Sequence, residues 1–561
     1  MLISRPSSFC QLIHRDCPLC GYLYRGLSPN LRGQSPQDAV HWSHMSDGFR
    51  QVSRFFGVDL DPRHKGARRF LGVLLLTAAV AGGLVTLLSP WKAFAVVLSL
   101  IVAWFAFSKA EYIILFLVAY TPFEPFLLKF VSDDVYIYAR YFSEGLIYVL
   151  LASVVVRLFL REKKIVTTPL DLPFVFFLLV AVASLVLNLV PPVIGALGLR
   201  QIIRFVLLFF LTVYLAPDEK FVRRVTKVMF GIVIFEGLLG LLQAIIGGPL
   251  DQFLIPSEVR FYESIQLTSG TNQFWSPGSR VFATMGRFDQ LGTFLSFFFL
   301  LATGLAYTLK TQTEKRPLLG VILLAFPAFI LTLSRASWFG WLLGFLLIGA
   351  WFMKDVRIRI GIAALVAIAL LYVGYSGIRV SYLTDYPQQT VVERFFEAFS
   401  YERWRGEYYG LGRLYWIVQT PLVVVRSSPL FGVGPGQFGG GAAAALRNTN
   451  VYEKLNLPFG VYGTGGYIDN NWFSLWGEVG TLGLAFYVWM IVALFLMAFR
   501  TWREAHDPFL RGLALGFCGC VVAIAFQAFL ATYLEVRTLA LYLWLYGAFV
   551  YVLARREKIY A

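Results

Sequence analysis

Asp469-Asn470-Asn471-Trp472-Phe473-Ser474-Leu475-Trp476-Gly477-Glu478-Val479-Gly480-Thr481-Leu482-Gly483 opens an apolar run that continues to Phe499. A helix needs about 17–25 such residues to cross the hydrocarbon core of a bilayer. Lipid offers no partner to backbone N–H and C=O groups, so a run of this length is read as a spanning helix. The polar residues at its mouth, and Glu478 nine residues beyond Asp469, are costly there and therefore call for a function. Just before it, a polar loop carries Pro429-Leu430-Phe431-Gly432-Val433-Gly434-Pro435-Gly436-Gln437-Phe438.

The same reading extends outward. Hydrophobic residues make up 58% of the chain and charged residues only 15%, with a mean hydropathy of +0.66. Apolar runs recur at 70–88, 91–107, 112–130, 144–160, 172–190, 200–216 and 225–246. Further runs follow at 288–309, 318–333, 337–352, 357–375, 472–499, 509–532 and 539–553. Some are short, and Thr121-Pro122-Phe123-Glu124-Pro125 interrupts the third. The expectation is an all-α, polytopic integral membrane protein of 12–14 transmembrane helices with one large extracytoplasmic loop. Its divisions are an N-terminal arm at 1–69, eleven helices over 70–375, the loop at 376–471, and three helices with a short tail over 472–561.

Lys and Arg concentrate in alternate loops, as the inner side of a membrane requires. Segments 108–111, 161–169, 217–224, 310–317, 354–356, 500–508 and the tail after Ala554 are basic. That pattern puts both termini in the cytoplasm and the 376–468 segment outside. The net charge of +16 is then largely inner-face anchoring, and no nucleic-acid partner is needed to explain it. Outer cations are mostly Arg, whose planar fork of donors suits phosphate oxygens.

The N-terminal residues up to about His44 lack periodicity, and a start at Met45 would leave a short basic arm. Cys10, Cys17 and Cys20 with His14 lie there, too close together for a convincing zinc site. Cys518 and Cys520 are two apart on a helix and point to different faces. No metal site is expected.

The loop contains an amphipathic stretch, Thr390–Trp404, suited to lying on a membrane surface, and a second helical stretch at Leu411–Arg426. Gly432-x-Gly434-x-Gly436 lacks the Lys-Ser/Thr of a nucleotide loop; a tight turn returning the loop to the membrane is the better reading. Every His lies in the N-terminal arm or at His506 in an inner loop. Chemistry on the outer side would therefore need a carboxylate as general base. Asp469 is the first choice by position, with helix N-capping as its alternative role. Glu478, deeper in the helix, is better placed to brace the bundle.

Taken together, Pro429–Phe438 and Asp469–Gly483 resemble the C-terminal half of the O-antigen ligase and polymerase family of membrane glycosyltransferases. Asn470, Glu478, Gly480 and Gly483 keep that family's spacing, while Asp469 stands where its ligases carry His. Arg413 and Trp416 match the helix that precedes the family's Pro-x-x-Gly-x-Gly turn, which includes Gly434. Ser334-Arg335 matches a Ser-Arg between two helices, and Arg200 and Arg204 have counterparts at a helix mouth. Arg280 and Gly286-Arg287-Phe288 match in part, because Asp289-Gln290 replaces an Asn.

The resemblance implies a GT-C-like, metal-independent enzyme without a cofactor at the outer face of the cytoplasmic membrane. Its donor would be a glycan on undecaprenyl diphosphate or a related polyprenyl diphosphate, its acceptor a glycan or a lipid. Asp469 and Arg335 would be catalytic. Arg200, Arg204, Arg280, Arg287, Arg413 and Asn470 would bind substrate; Glu478, Gly434, Gly480 and Gly483 would be structural. The missing His favours polymerisation of polysaccharide repeat units. A ligase that transfers the glycan to a lipid or protein is the alternative, and a lipid-linked glycan transporter is the alternative of another class.

Overall fold

The computed structural model describes residues 90–161, 165–256, 260–262, 265–266, 280–383, 389–460 and 465–560. The N-terminal arm with its cysteines and the first expected span, 70–88, lie outside the described residues. The chain divides into two units, Met1–Ile101 and Val102–Ala561. Of the first, only the start of the Pro90–Ser108 helix is described. The site belongs wholly to the second.

Each remaining apolar run coincides with a helix. Among the described residues eight helices are long and apolar enough to cross a membrane, or up to ten if each of two bent pairs is one span. The run at 112–130 breaks after Ala110–Tyr120 and resumes as Glu124–Leu128, with Pro122 and Pro125 unable to donate to a continuous ladder. The run at 200–216 begins earlier than its hydropathy indicates. Pro192, at the first helical position where a missing N–H costs nothing, opens Pro192–Ile203, which meets Val206–Leu215 at 56°. Arg200 is thus in the last turn of a half-helix rather than at its mouth.

Phe288–Thr308, Pro508–Gln527 and Arg537–Arg556 form the centre, their spanning windows 83%, 78% and 94% buried, whereas the window in Val356–Gly377 is 0% buried and forms the rim. Small residues allow close helix approach where lipid supplies no hydrophobic drive; Gly304 meets the backbone of Gly512 and Gly516 in this way. The only β structure among the described residues is a two-residue ladder pairing Phe261–Tyr262 with Ile265–Gln266.

The loop is a folded layer. Thr390 and Glu393 form a capping box that starts Val391–Phe396, and Ser400 caps Tyr401–Tyr409. Arg413–Gln419 then continues into a wider π-type turn, Thr420–Val425, where Pro421 removes a backbone donor. Buried Trp416, Val424, Phe438, Tyr452 and Ile468 make a core of its own, with the Phe438 and Tyr452 rings stacked 5.4 Å apart. That core fixes the loop over the mouth of the Asn471–Glu504 helix.

Candidate active site

The glycine turn is built onto that helix by backbone bonds. The amides of Val433 and Gly434 donate to the carbonyls of Gly477 and Glu478 (2.9 and 2.8 Å), and those of Thr481 and Leu482 donate to Pro429 and Leu430 (2.9 and 3.2 Å). The helix breaks at Gly480, with φ 69° and ψ −173°. A Cβ there would stand 2.4 Å from the carbonyl carbon and oxygen of Leu430, so both the backbone angle and the contact demand glycine. The buried Glu478 carboxylate accepts from the amides of Gly436 (3.0 Å) and Phe438 (3.5 Å). Glu478 therefore holds the turn; it faces no open space.

At the mouth, the cap is Asn470, not Asp469. The buried Asn470 side chain accepts from the Phe473 amide at 3.1 Å. Asn471 also turns inward, accepting from the Leu534 amide at 2.7 Å and donating to Glu535 at 3.3 Å. Asp469 is left for another task. Its Oδ2 meets Arg413 at 3.2 Å, and its side chain remains 39% exposed.

Arg413 begins a chain of alternating charges. Its amide donates to Glu407 at 2.8 Å and its Nε to the Leu530 carbonyl at 2.8 Å. Glu407 also pairs with Arg403, and Arg403 reaches Glu397 at 3.2 Å. Glu397, fully buried, takes Arg394 at 2.8 Å and Arg335 at 3.1 Å as well. Arg335 has no acidic neighbour in sequence; its partner arrives because the loop folds back over the Ser334–Ser337 turn. Burial opposes the charge of Glu407, but Arg413 and Arg403 outweigh it and hold this carboxyl below the usual carboxylate range.

Other helices supply further charged groups, of which Arg287 and Tyr533 lie within the field of Asp469. Arg287, whose guanidinium is held charged first by Asp289 and further by Asp469, pairs with Asp289 at 3.0 Å. The Tyr533 hydroxyl donates to Asp289 at 3.4 Å. Arg280 lies over the Phe288 ring at 4.3 Å. Arg200 and Arg204 both pair with Glu144, at 2.6 and 3.2 Å, and Arg204 donates to the Glu535 carbonyl at 2.9 Å. Burial pushes the Glu535 carboxyl up, despite hydrogen bonds from the Gly441 amide, Gln201 and Asn471.

Exposure separates side chains that can touch a ligand from those that support them. Arg287 (42%) and Arg413 (28%) keep open surface beside Asp469, and Arg200 (25%) keeps some on Glu144, whereas Arg335 (14%) and Arg204 (10%) are nearly sealed. Sequence reasoning missed Glu144, Glu397, Glu407 and Glu535. Glu144 and Glu535 lie in or beside apolar sequence, which is the signal that could have found them; Glu397 and Glu407 sit in the charged loop helices, where no such signal marks them. Chemically, the arrangement offers a carboxylate at a helix mouth with one guanidinium bound to it and that of Arg287 near enough to feel its charge, and guanidiniums are donors suited to phosphate oxygens.

Residues 320–488 match a family model described as O-antigen ligase. The matched region takes in the Arg335 turn, the whole loop layer, the glycine turn and the Asp469–Gly483 mouth. Over that region the chain is similar to the O-antigen ligase family. No curated protein matches the chain.

Proposed function

We propose that this O-antigen ligase-like membrane protein is a metal-independent glycosyltransferase. It takes a glycan from a polyprenyl diphosphate and joins repeat units of a cell-surface polysaccharide at the outer face of the cytoplasmic membrane, with both termini inside. The observation that carries the reading is Asp469: partly exposed, paired with Arg413 and relieved of capping by Asn470. In this reading Asp469 accepts the proton of the attacking sugar hydroxyl. Arg413 orients it, and Arg287 faces the leaving diphosphate, whose developing charge fixed guanidiniums stabilise. Arg335 acts from behind, through Glu397 and Arg403.

The ligase reading is favoured by the description of the matching family. Deleting the gene and analysing lipid-linked intermediates separates the two. Accumulated single repeat units support polymerisation, whereas accumulated long chains mean a ligase.

A further inference from the structure

Arg413 is held at three points that come from three separate segments. Its Nε donates to the Leu530 carbonyl at 2.8 Å. One terminal nitrogen meets Glu407 at 3.5 Å and the other meets Asp469 at 3.2 Å. A guanidinium is planar, so three acceptors fix its orientation as well as its place. The Arg413–Gln419 helix, moreover, starts on Gly412, which has no side chain to cap it. Glu407 takes that part from outside the helix, its Oε2 accepting from the Arg413 amide at 2.8 Å. A Cβ at Gly412 would stand 2.2 Å from that oxygen, so glycine is what admits the carboxylate. One side chain thus grips Arg413 by its backbone and by its tip.

Glu407 and Asp469 also divide the charge of Arg413. Glu407 is only 3% exposed. Burial opposes its charge, but Arg413 and Arg403 outweigh it and keep the group ionised. A carboxylate that faces an undivided guanidinium is a poor base, because the cation stabilises its charged form. One that shares the guanidinium with a second acid keeps more of its basic strength. Arg287 and Tyr533 also lie within the field of Asp469. Arg403 pairs with Glu407, and Arg335 lies within its field.

We propose that Glu407 is a positioning residue for the transfer reaction. It aims Arg413 at Asp469 and draws off part of the guanidinium's charge, so that Asp469 is oriented and still able to accept a proton. This rests on the glycosyltransferase reading above. Glu407→Gln separates the two duties: an amide oxygen can still accept from the Arg413 backbone, but the charge is gone. The test uses full-length protein in phosphatidylcholine nanodiscs, supplied with a polyprenyl-diphosphate-linked repeat unit and assayed across pH. Glu407→Gln should turn over roughly 10-fold more slowly, the scale of coupling within one charged network, with KM for the donor unchanged. The acidic limb of its rate profile should move to lower pH. Glu407→Asp keeps the charge and should keep the limb where wild type has it. Arg403→Gln leaves Glu407 more fully on Arg413 and should move the limb to higher pH; it decides the matter if Glu407→Gln does not fold.

A folded Glu407→Gln variant with the wild-type limb, whatever its melting temperature, would make Glu407 a scaffold residue and overturn the proposal while leaving the enzyme reading intact. An unmoved limb in Arg403→Gln, where that variant has to decide, has the same consequence. No transfer by wild type defeats the enzyme reading itself, and the role of Glu407 falls with it.

Discussion

Asp469 and Glu478 are carboxylates nine residues apart at the same end of the Asn471–Glu504 helix, and their surroundings are opposite. Glu478 is sealed and bonded to backbone amides of the glycine turn. Asp469 is partly exposed and bonded to an arginine that Glu407 also holds. Backbone amides cannot leave without unfolding the turn, so Glu478 is fixed as a brace. A guanidinium shared among Asp469, Glu407 and the Leu530 carbonyl leaves Asp469 with an oxygen to spare; its Oδ1 has no partner among the described residues. The sharing pattern distinguishes chemistry from support.

The contrast breaks most readily at Asp469. Asp469→Asn should lower transfer by about 10²–10⁴-fold, the usual loss of a general base, with the melting temperature unchanged because Asn470 caps the helix. Wild-type turnover by this variant would erase the distinction. Glu478→Ala should act the other way. It leaves two buried amides unpaired at about 1–3 kcal/mol each, which thermal unfolding in detergent would read as a lower melting temperature; an unchanged value would make Glu478 dispensable as a brace.

A smaller effect sharpens the assignment of the cap. Asn470→Ala should cost about 0.5–2 kcal/mol of stability, while the same change at Asp469 should cost little; the reverse order would return capping to Asp469. The smallest effect concerns acid. Glu407 is ionised more readily in the fold than in the unfolded chain, where its value is about 4.3. Its contribution to loop stability is therefore complete above that pH and is lost as the pH falls below it, through the lower folded value. Limited proteolysis of the loop should accelerate over that acidic window, and Glu407→Gln should flatten the dependence.

Much of this was legible in the residues. Long apolar runs announce helices wherever lipid forces the backbone to satisfy itself, and the Pro122–Pro125 break is visible for the same reason that proline breaks any ladder. The start of Pro192–Ile203 was not legible, since its first two turns are too short and glycine-rich to stand out by hydropathy. The site was half legible. Asp469 and Arg413, named from separate motifs, are joined by an ion pair, but the acids that hold Arg335, Arg200 and Arg204 come from distant segments. Arg335 and Glu397 are joined by tertiary folding alone, and no local pattern encodes that meeting. The choice between Asp469 and Asn470 as cap was likewise settled by one side-chain hydrogen bond that spacing does not specify.

The central claim is that this mouth joins carrier-linked glycans to one another. The direct measurement supplies purified full-length protein with a polyprenyl-diphosphate-linked repeat unit as sole substrate and follows product length on a gel. The account predicts a ladder of lengthening carrier-linked chains from wild type and none from Asp469→Asn. A substrate left unchanged until a separate lipid acceptor is added, and then transferred to it whole, would contradict polymerisation and make the protein a ligase.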